Sequence, residues 1–303
     1  MISIRPTIKF NLLLQLLLLL NISHASVEEA LPAKAVSEFV TAMEQIKRNY
    51  VFEQNDPELI EAAIRGMVTS LDPYSRYLNA EELAKFESSN SAKNTMTKVW
   101  NIERMVSGIV YIDINFFHFS LAKYVDDALK NSNLEKGIII DLRNNGGGFV
   151  DSAVALADLF LDSKLVVHTR GRSAAASRYL SANEKTPYQD IPIIVITDEG
   201  TASAAEIFAA AIQDHKRGLI VGKYTYGKGS VQSLIYTQFG AIQITTSMNY
   251  RPSGTSIQGE GIRPDVDLTQ PESININIEP SSLEKALIEE SHRRFHISEN
   301  IPN

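Results

Sequence analysis

Ile191-Pro-Ile-Ile-Val-Ile-Thr-Asp-Glu-Gly200 runs straight into Thr201-Ala-Ser-Ala-Ala-Glu-Ile-Phe-Ala-Ala-Ala-Ile-Gln213, and Gly218-Leu-Ile-Val-Gly222 and Gly227-Lys-Gly-Ser-Val-Gln232 follow. The first apolar run is rich in β-branched residues and ends at a glycine, whereas the alanine-rich run after it has helical spacing, so a buried strand turns sharply into a helix. Ser203 stands at that turn between two alanines. A hydroxyl there has backbone N–H groups beside it and the positive end of a helix dipole behind it. Capping the helix is one use for such a serine; attacking an acyl carbon is another.

Lys228 gives the second use its weight. In a βαβ-type unit the Gly218–Gly222 run lies beside the first strand, so the loop leaving its end brings Lys228 towards Ser203. Glycines on both sides of the lysine allow a close backbone approach. A lysine can deprotonate a serine only when neutral, which requires its pKa to fall from about 10.4 towards about 7–8 by desolvation with no carboxylate partner. No Asp or Glu occurs between Lys216 and Gln258. Gln232 lies four positions after Lys228, on the same face of an extended or helical segment, where an uncharged amide orients an amine without fixing its charge. Ser203, Lys228 and Gln232 form a candidate base-activated nucleophile. Gly222 to Lys228 also matches the first seven positions of a phosphate-binding loop. Gly229 replaces the Ser or Thr that would hold Mg²⁺, and the residues after Lys228 favour a strand, whereas a phosphate loop must open a helix.

With 303 residues, 44% of them hydrophobic, the chain has enough apolar residues for a sizeable core in one or two domains. A net charge of −7 gives no electrostatic case for nucleic acid. The lack of cysteine excludes disulfides, thiolate metal sites and a cysteine nucleophile. Arg5 and Lys9 precede the apolar Phe10–Leu20 segment, which is followed by Ser23-His-Ala25. That order predicts a secretory signal peptide over 1–25 and an exported, periplasmic or secreted mature protein. An uncleaved anchor is the other reading, although the apolar core is short of the roughly 20 residues needed to span a bilayer.

Val36, Phe39, Val40, Met43, Ile46 and Tyr50 recur at helical spacing, as do Leu59, Ile60, Ala63, Ile64, Met67 and Leu71. Two amphipathic helices are expected, packed on the core or on a second copy of the chain. Leu71 to Leu78 reads as a turn, and Asn79-Ala-Glu-Glu82 has the form of a capping box opening a short helix. From Glu87 to Thr97 the chain is polar and reads as a loop or boundary. Gly108–Ile114 and Gly137–Leu142 read as strands, each followed by a helix, the second over Val150–Leu161; with the later segments this alternation predicts an α/β core with much parallel pairing. Gly146-Gly-Gly148 between strand and helix either makes a tight turn or presents backbone N–H groups to an anionic oxygen. His118, His168 and His215 lack metal-ligand spacing. Arg170–Asp190 is a surface loop or a flap over the site. A hairpin is expected around Gly240, and a terminal helix over Ser281–Arg294.

Leu71-Asp-Pro-Tyr-Ser-Arg-Tyr-Leu78, Ile139-Ile-Asp-Leu-Arg-Asn-Asn-Gly-Gly-Gly148, Gly200-Thr-Ala-Ser-Ala-Ala-Glu-Ile207, Gly227-Lys-Gly-Ser-Val-Gln232 and Ile257-Gln-Gly-Glu-Gly-Ile-Arg-Pro-Asp265 occur in this order. Together, over roughly residues 35 to 268, they resemble the carboxyl-terminal processing, or tail-specific, serine proteases. The resemblance implies a Clp-protease/crotonase-like α/β core over 108–270 and an N-terminal helical region over 26–90. It also implies an endopeptidase that needs no cofactor or metal. On the family's pattern Ser203 is the nucleophile, Lys228 the general base and Gln232 its orienting residue. Gly148 and Ala204 supply the oxyanion hole, with Gly147 as a substitute. Relatives carry a PDZ domain between the Leu78 turn and the Gly108 strand; here about thirty residues remain, fewer than the usual minimum of about 50 for a domain. That span is expected to hold a linker over 91–107, with substrates reaching the site directly or through a separate adaptor, and 271–303 to form a terminal helix and tail that, with the N-terminal helices, offers a homodimer contact. Two other classes compete: an exported peptide-binding protein that keeps the fold without catalysis, and a crotonase-like acyl-CoA enzyme, for which no adenine site is evident.

Overall fold

Strand and helix alternate as the apolar pattern predicts, and they sort into two sheets. The computed structural model describes residues 32–94, 100–104, 108–132, 136–183 and 186–269. In chain order these hold α1 (Ala33–Asn49), α2 (Asp56–Thr69), β1 (Arg76–Asn79), α3 (Ala80–Asn94), β2 (Trp100–Arg104) and β3 (Ile109–Ile114). Then come α4 (Leu121–Lys130), β4 (Gly137–Asp141), α5 (Val150–Asp158), β5 (Leu165–Gly171), β6 (Arg178–Ser181) and β7 (Ile193–Thr197). The last are α6 (Ala204–Asp214), β8 (Leu219–Gly222), β9 (Ser230–Thr237), β10 (Gly240–Tyr250) and β11 (Val266–Asp267). The expected signal peptide and the expected helix over Ser281–Arg294 lie outside the described residues.

One sheet has the order β11-β8-β7-β4-β3-β2, parallel throughout except for β2, which pairs antiparallel with β3 at the edge. Its central strands are continuous Ile/Val runs because both faces are buried. Ile138, Ile140, Ile193 and Val195 enter the large core with residues of α4, α5 and α6. Ile139, Ile194 and Ile196, pointing the other way, join a smaller cluster with Val221, Val266 and Leu268. Every residue of α6 from Ala204 to Ile212 is buried, as befits a helix that is apolar all round. The second sheet runs β1-β10-β5-β6, with β9 paired to β10 through the hairpin expected around Gly240.

Three local expectations give way. The polar stretch from Glu87 is not a loop at its start: α3 continues to Asn94, and β2 then forms an edge strand within the segment read as a linker. The capping box is present in full, since Glu82 N–H donates to Asn79 Oδ1 at 3.0 Å and Asn79 N–H to Glu82 Oε2 at 2.9 Å. A Lys85–Glu81 pair at 2.6 Å and Arg76 seated on the Phe86 ring support a helix that has few apolar residues of its own. Arg170–Asp190 is not a free flap, because Leu165–Thr169 pairs with Arg178–Ser181 as adjacent strands. Helix α5 stops at Asp158, three residues before the expected end. The chain divides into two compact units at Ala63/Ile64, within α2. In the first unit Lys47 pairs with Asp56 at 2.6 Å, and Val36, Phe39, Val40 and Ile46 on one face of α1 are 44–47% exposed.

At its C-terminal end α6 is held to β10. Arg251 bonds the Asp214 carboxylate and, at 2.7 Å, Gln213 Oε1, while Ser253 N–H donates to Asp214 Oδ2 at 3.0 Å. Burial alone would raise the Asp214 carboxyl, but the bonds from Arg251 and Ser253 hold it below its ordinary range. A carboxyl depressed in the folded state stabilises fully above its unfolded value of about 3.9 and loses that contribution as pH falls through the folded value. Asp214→Asn is therefore expected to cost about 3 kcal/mol at pH 7, with Arg251 left uncompensated, and much less below about pH 3. Urea denaturation at the two pH values measures the difference.

Candidate active site

The turn between β7 and α6 holds Ser203 at φ 58° and ψ −118°, a left-handed backbone conformation that side chains rarely adopt. Such a conformation costs about 1–3 kcal/mol and persists only where its surroundings over-determine it. Those surroundings are visible. Ser203 N–H donates to Glu206 Oε2 at 2.8 Å, Ala202 N–H to Asn145 O at 2.8 Å, and Ile207 N–H to Ser203 O at 3.0 Å.

Glu206 is fully buried and does more than close its own helix. Its Oε1 accepts from the Thr225 hydroxyl and, at 2.7 Å, from Gly227 N–H; its Oε2 also accepts from Lys228 N–H at 2.8 Å. One carboxylate thus binds the serine turn and the lysine loop together. From the far side of that loop Gln258 Oε1 accepts from Gly229 N–H at 3.1 Å and Ser230 N–H at 3.0 Å. The Lys228 side chain makes no ion pair among the described residues; its Nζ lies 5.5 Å from the centre of the Tyr74 ring.

The glycine loop reaches the same place. A Cβ on Gly147, at φ 98°, would sit 2.7 Å from Ala202 O and 2.8 Å from Ser203 Cβ, and one on Gly148, at φ 148°, would sit 2.4 Å from Phe117 O. Only glycine allows this approach. Gly147 N–H is already donated to Asn145 Oδ1 at 2.8 Å, so it points away from the role of substitute oxyanion donor. Gly148 and Ala204 N–H make no hydrogen bond among the described residues. Asp198 ties the loop to the serine turn, with Oδ1 accepting from Asn144 N–H at 2.9 Å and Gly200 N–H at 3.0 Å. Ahead of the glycines Asp141 takes the Tyr111 hydroxyl at 2.6 Å and a forked contact from Arg143. Burial and the neighbouring Asp141 push the Tyr111 hydroxyl up, leaving it a proton donor.

A cavity of about 430 Å³ is lined by Ser203, Lys228, Gly146 and Gly148, with Phe86 and Asn90 of α3 forming part of its wall. Gln232 is not part of that lining; its Nε2 donates to Thr245 Oγ1 on β10 at 3.2 Å. Beyond Phe149, whose ring stacks on Phe119 at 3.8 Å, a second cavity of about 520 Å³ lies against Val231, Leu180 and Ser247. A hydroxyl at a helix N-terminus, an amine with no carboxylate partner and two undonated N–H groups are the parts an acyl transfer requires. Sequence reasoning pointed to the serine, the lysine and the glycine loop, which line one cavity. It missed Glu206, Gln258 and the ring of Tyr74.

Comparison with known proteins identifies the family. Residues 108–268 match the model of peptidase family S41, and residues 20–82 match that of the activating protease CtpB N-terminal domain. A carboxy-terminal-processing protease of Bartonella bacilliformis is 30% identical over 329 positions, covering 78% of this chain and 76% of that protein. A probable CtpA-like serine protease of Staphylococcus aureus is 32% identical over 201 positions, covering 65% of this chain but only 40% of its own length. Among solved structures the photosystem II D1 C-terminal processing protease superposes with a TM-score of 0.61 at 17% identity, over 83% of this chain and 92% of that one, and shares the fold. The chain belongs to peptidase family S41, among the carboxy-terminal-processing serine peptidases.

Proposed function

We propose that this peptidase is an exported endopeptidase that cuts extracytoplasmic polypeptides near their C-termini, with Ser203 as nucleophile and Lys228 as general base. The observation that supports it most is the shared cavity of Ser203, Lys228 and Gly148, in which the lysine has no ion-pair partner among the described residues. Neutral Lys228 takes the Ser203 proton as Oγ bonds the peptide carbonyl carbon, and the carbonyl oxygen gains negative charge. The N–H groups of Gly148 and Ala204 receive that oxyanion, an interaction of about 3–4 kcal/mol per donor. Lys228 then gives its proton to the departing amine, and water releases the acyl-enzyme by the same route in reverse. Gln232, its amide steadied by Thr245, leaves a carbonyl oxygen to orient the lysine.

Cleavage near C-termini is carried over from the names of the relatives. Export rests on the basic, apolar and small-residue order before Ala25; among the described residues no helix is long and apolar enough to cross a membrane. The Bartonella match runs over 329 positions while taking in 78% of a 303-residue chain, so about 90 positions of that relative have no counterpart here, the length of a small domain. On this reading α3 and β2 occupy the place of the relatives' PDZ domain. Substrates then enter directly or with a separate adaptor.

Incubation with an unfolded polypeptide tests the dyad. Ser203→Ala and Lys228→Ala are each expected to lower cleavage at least about 10³-fold with unchanged circular dichroism; equal cleavage by all three proteins would remove the dyad mechanism, and no cleavage by any of them would leave a silent peptide-binding fold as the reading. Glu206→Gln replaces a carboxylate that accepts four donors with a group that must donate on one side. It is expected to lower stability by about 2–3 kcal/mol and kcat/KM about 100-fold, read from urea denaturation and peptide hydrolysis.

A further inference from the structure

The turn Leu71-Asp-Pro-Tyr-Ser-Arg-Tyr-Leu78 lies far from Ser203 in sequence and has no part in the chemistry described so far. Its conformation is firmly set. Asp72 Oδ1 accepts from Tyr74 N–H at 2.8 Å and Ser75 N–H at 2.9 Å, and Oδ2 accepts from Ser75 Oγ at 2.8 Å. Burial would raise the Asp72 carboxyl, but these bonds hold it below its ordinary value, so it stays an ionised acceptor. Ser75 Oγ in turn accepts from Thr245 N–H of β10 at 3.2 Å, which fixes the turn to the sheet. The product of this anchoring is a phenol ring whose centre lies 5.5 Å from Lys228 Nζ. Gln258, which caps the exit of the lysine loop, has its Nε2 3.5 Å from the Tyr74 hydroxyl.

We infer that Tyr74 is a positioning residue for the reaction: its ring face holds the Lys228 ammonium that forms when Ser203 gives up its proton. This rests on the Ser203–Lys228 reading above. As the Oγ–carbon bond forms, the serine proton passes to Nζ, and the amine becomes a cation in a cavity whose other side chains offer it little. Asn90 and Gln243 carry no charge, and of the rings among the described residues, Phe86, Phe116 and Phe149 included, only that of Tyr74 lies within cation–π reach of Nζ. Glu206, which faces the loop from α6, is occupied by four donors. Arg76, at the rim on Gln243 and Phe86, repels a second cation. An aromatic face attracts a cation within about 6 Å of its centre and does nothing comparable for a neutral amine. Tyr74 stabilises the charge that develops on the lysine, and because it is not a carboxylate it does not lock the resting amine in its charged form.

The test is the rate at which a fluorophosphonate phosphonylates Ser203 in the full chain, with fluoride as leaving group, followed from about pH 6 to about pH 10. Tyr74→Phe keeps the ring and is expected to stay within about twofold of the unmodified protein at every pH. Tyr74→Leu is expected to lower the plateau about tenfold and to move the acid limb to lower pH, because a lysine without a cation-binding face reaches its neutral form more readily. Tyr74→Trp, with the stronger face, is expected to move the limb to higher pH, and this outcome stands even if the leucine variant unfolds. A leucine variant that overlays the unmodified profile, a phenylalanine variant as slow as leucine, or a tryptophan limb displaced to lower pH overturns the inference. Labelling of Lys228→Ala and Ser203→Ala at the unmodified rate would instead sink the dyad itself, so the two failures are distinguishable.

Discussion

A single carboxylate with no cation partner among the described residues organises this molecule. Glu206 is buried at the N-terminal end of α6, and burying an unpaired anion is ordinarily prohibitive. Four donors, each bond to a charged acceptor worth about 1.5–3 kcal/mol, together with the positive end of the helix dipole, offset that cost. Because three of the donors come from the lysine loop and one from the serine turn, the two segments cannot move independently. The strained backbone at Ser203 and the approach of Lys228 are thus consequences of one electrostatic knot. Gln258 and Asp198 extend it, the first to the exit of the lysine loop and the second to the glycine loop.

The elements of the core were legible because their apolar periods are unambiguous: Ile193–Thr197, Ala204–Asp214 and Leu219–Gly222 fall where the pattern put them. Ser203, Lys228 and Gly148 were legible as residue types in loops at strand ends. Glu206 was overlooked although it carries a signal. Ser203 and Glu206 have the Ser-x-x-Glu spacing of a capping box, the same logic that located Asn79 and Glu82. The engagement of Gly147 by Asn145 was likewise readable as a side chain bonding the backbone two residues on. Gln232 is a different case, since its partner Thr245 depends on the register between β9 and β10, which no local pattern fixes. The helix beyond Glu87 depends on contacts such as Arg76 on Phe86, and a polar sequence does not announce those.

Helix α3 bears directly on access to the site. Its Phe86 and Asn90 stand in the wall of the cavity that holds Ser203 and Lys228, and Arg76 fixes Phe86 through its ring and Gln243 through Nε at 2.8 Å. The chain then returns to the core through β2, which closes the otherwise parallel sheet antiparallel to β3. A short, anchored segment therefore shapes the entrance on this side, and what can be bound depends on it.

The left-handed backbone at residue 203 carries a last implication. Glycine would occupy φ 58° without steric penalty, so a serine there sets its part in the capping box with Glu206 against the strain of its backbone. Keeping a hydroxymethyl group at such a position works against the protein's own stability, and the helix it begins is already closed by Glu206. The same side chain that opens the capping box with Glu206 is thus the one that the proposed acyl transfer would expose to a substrate.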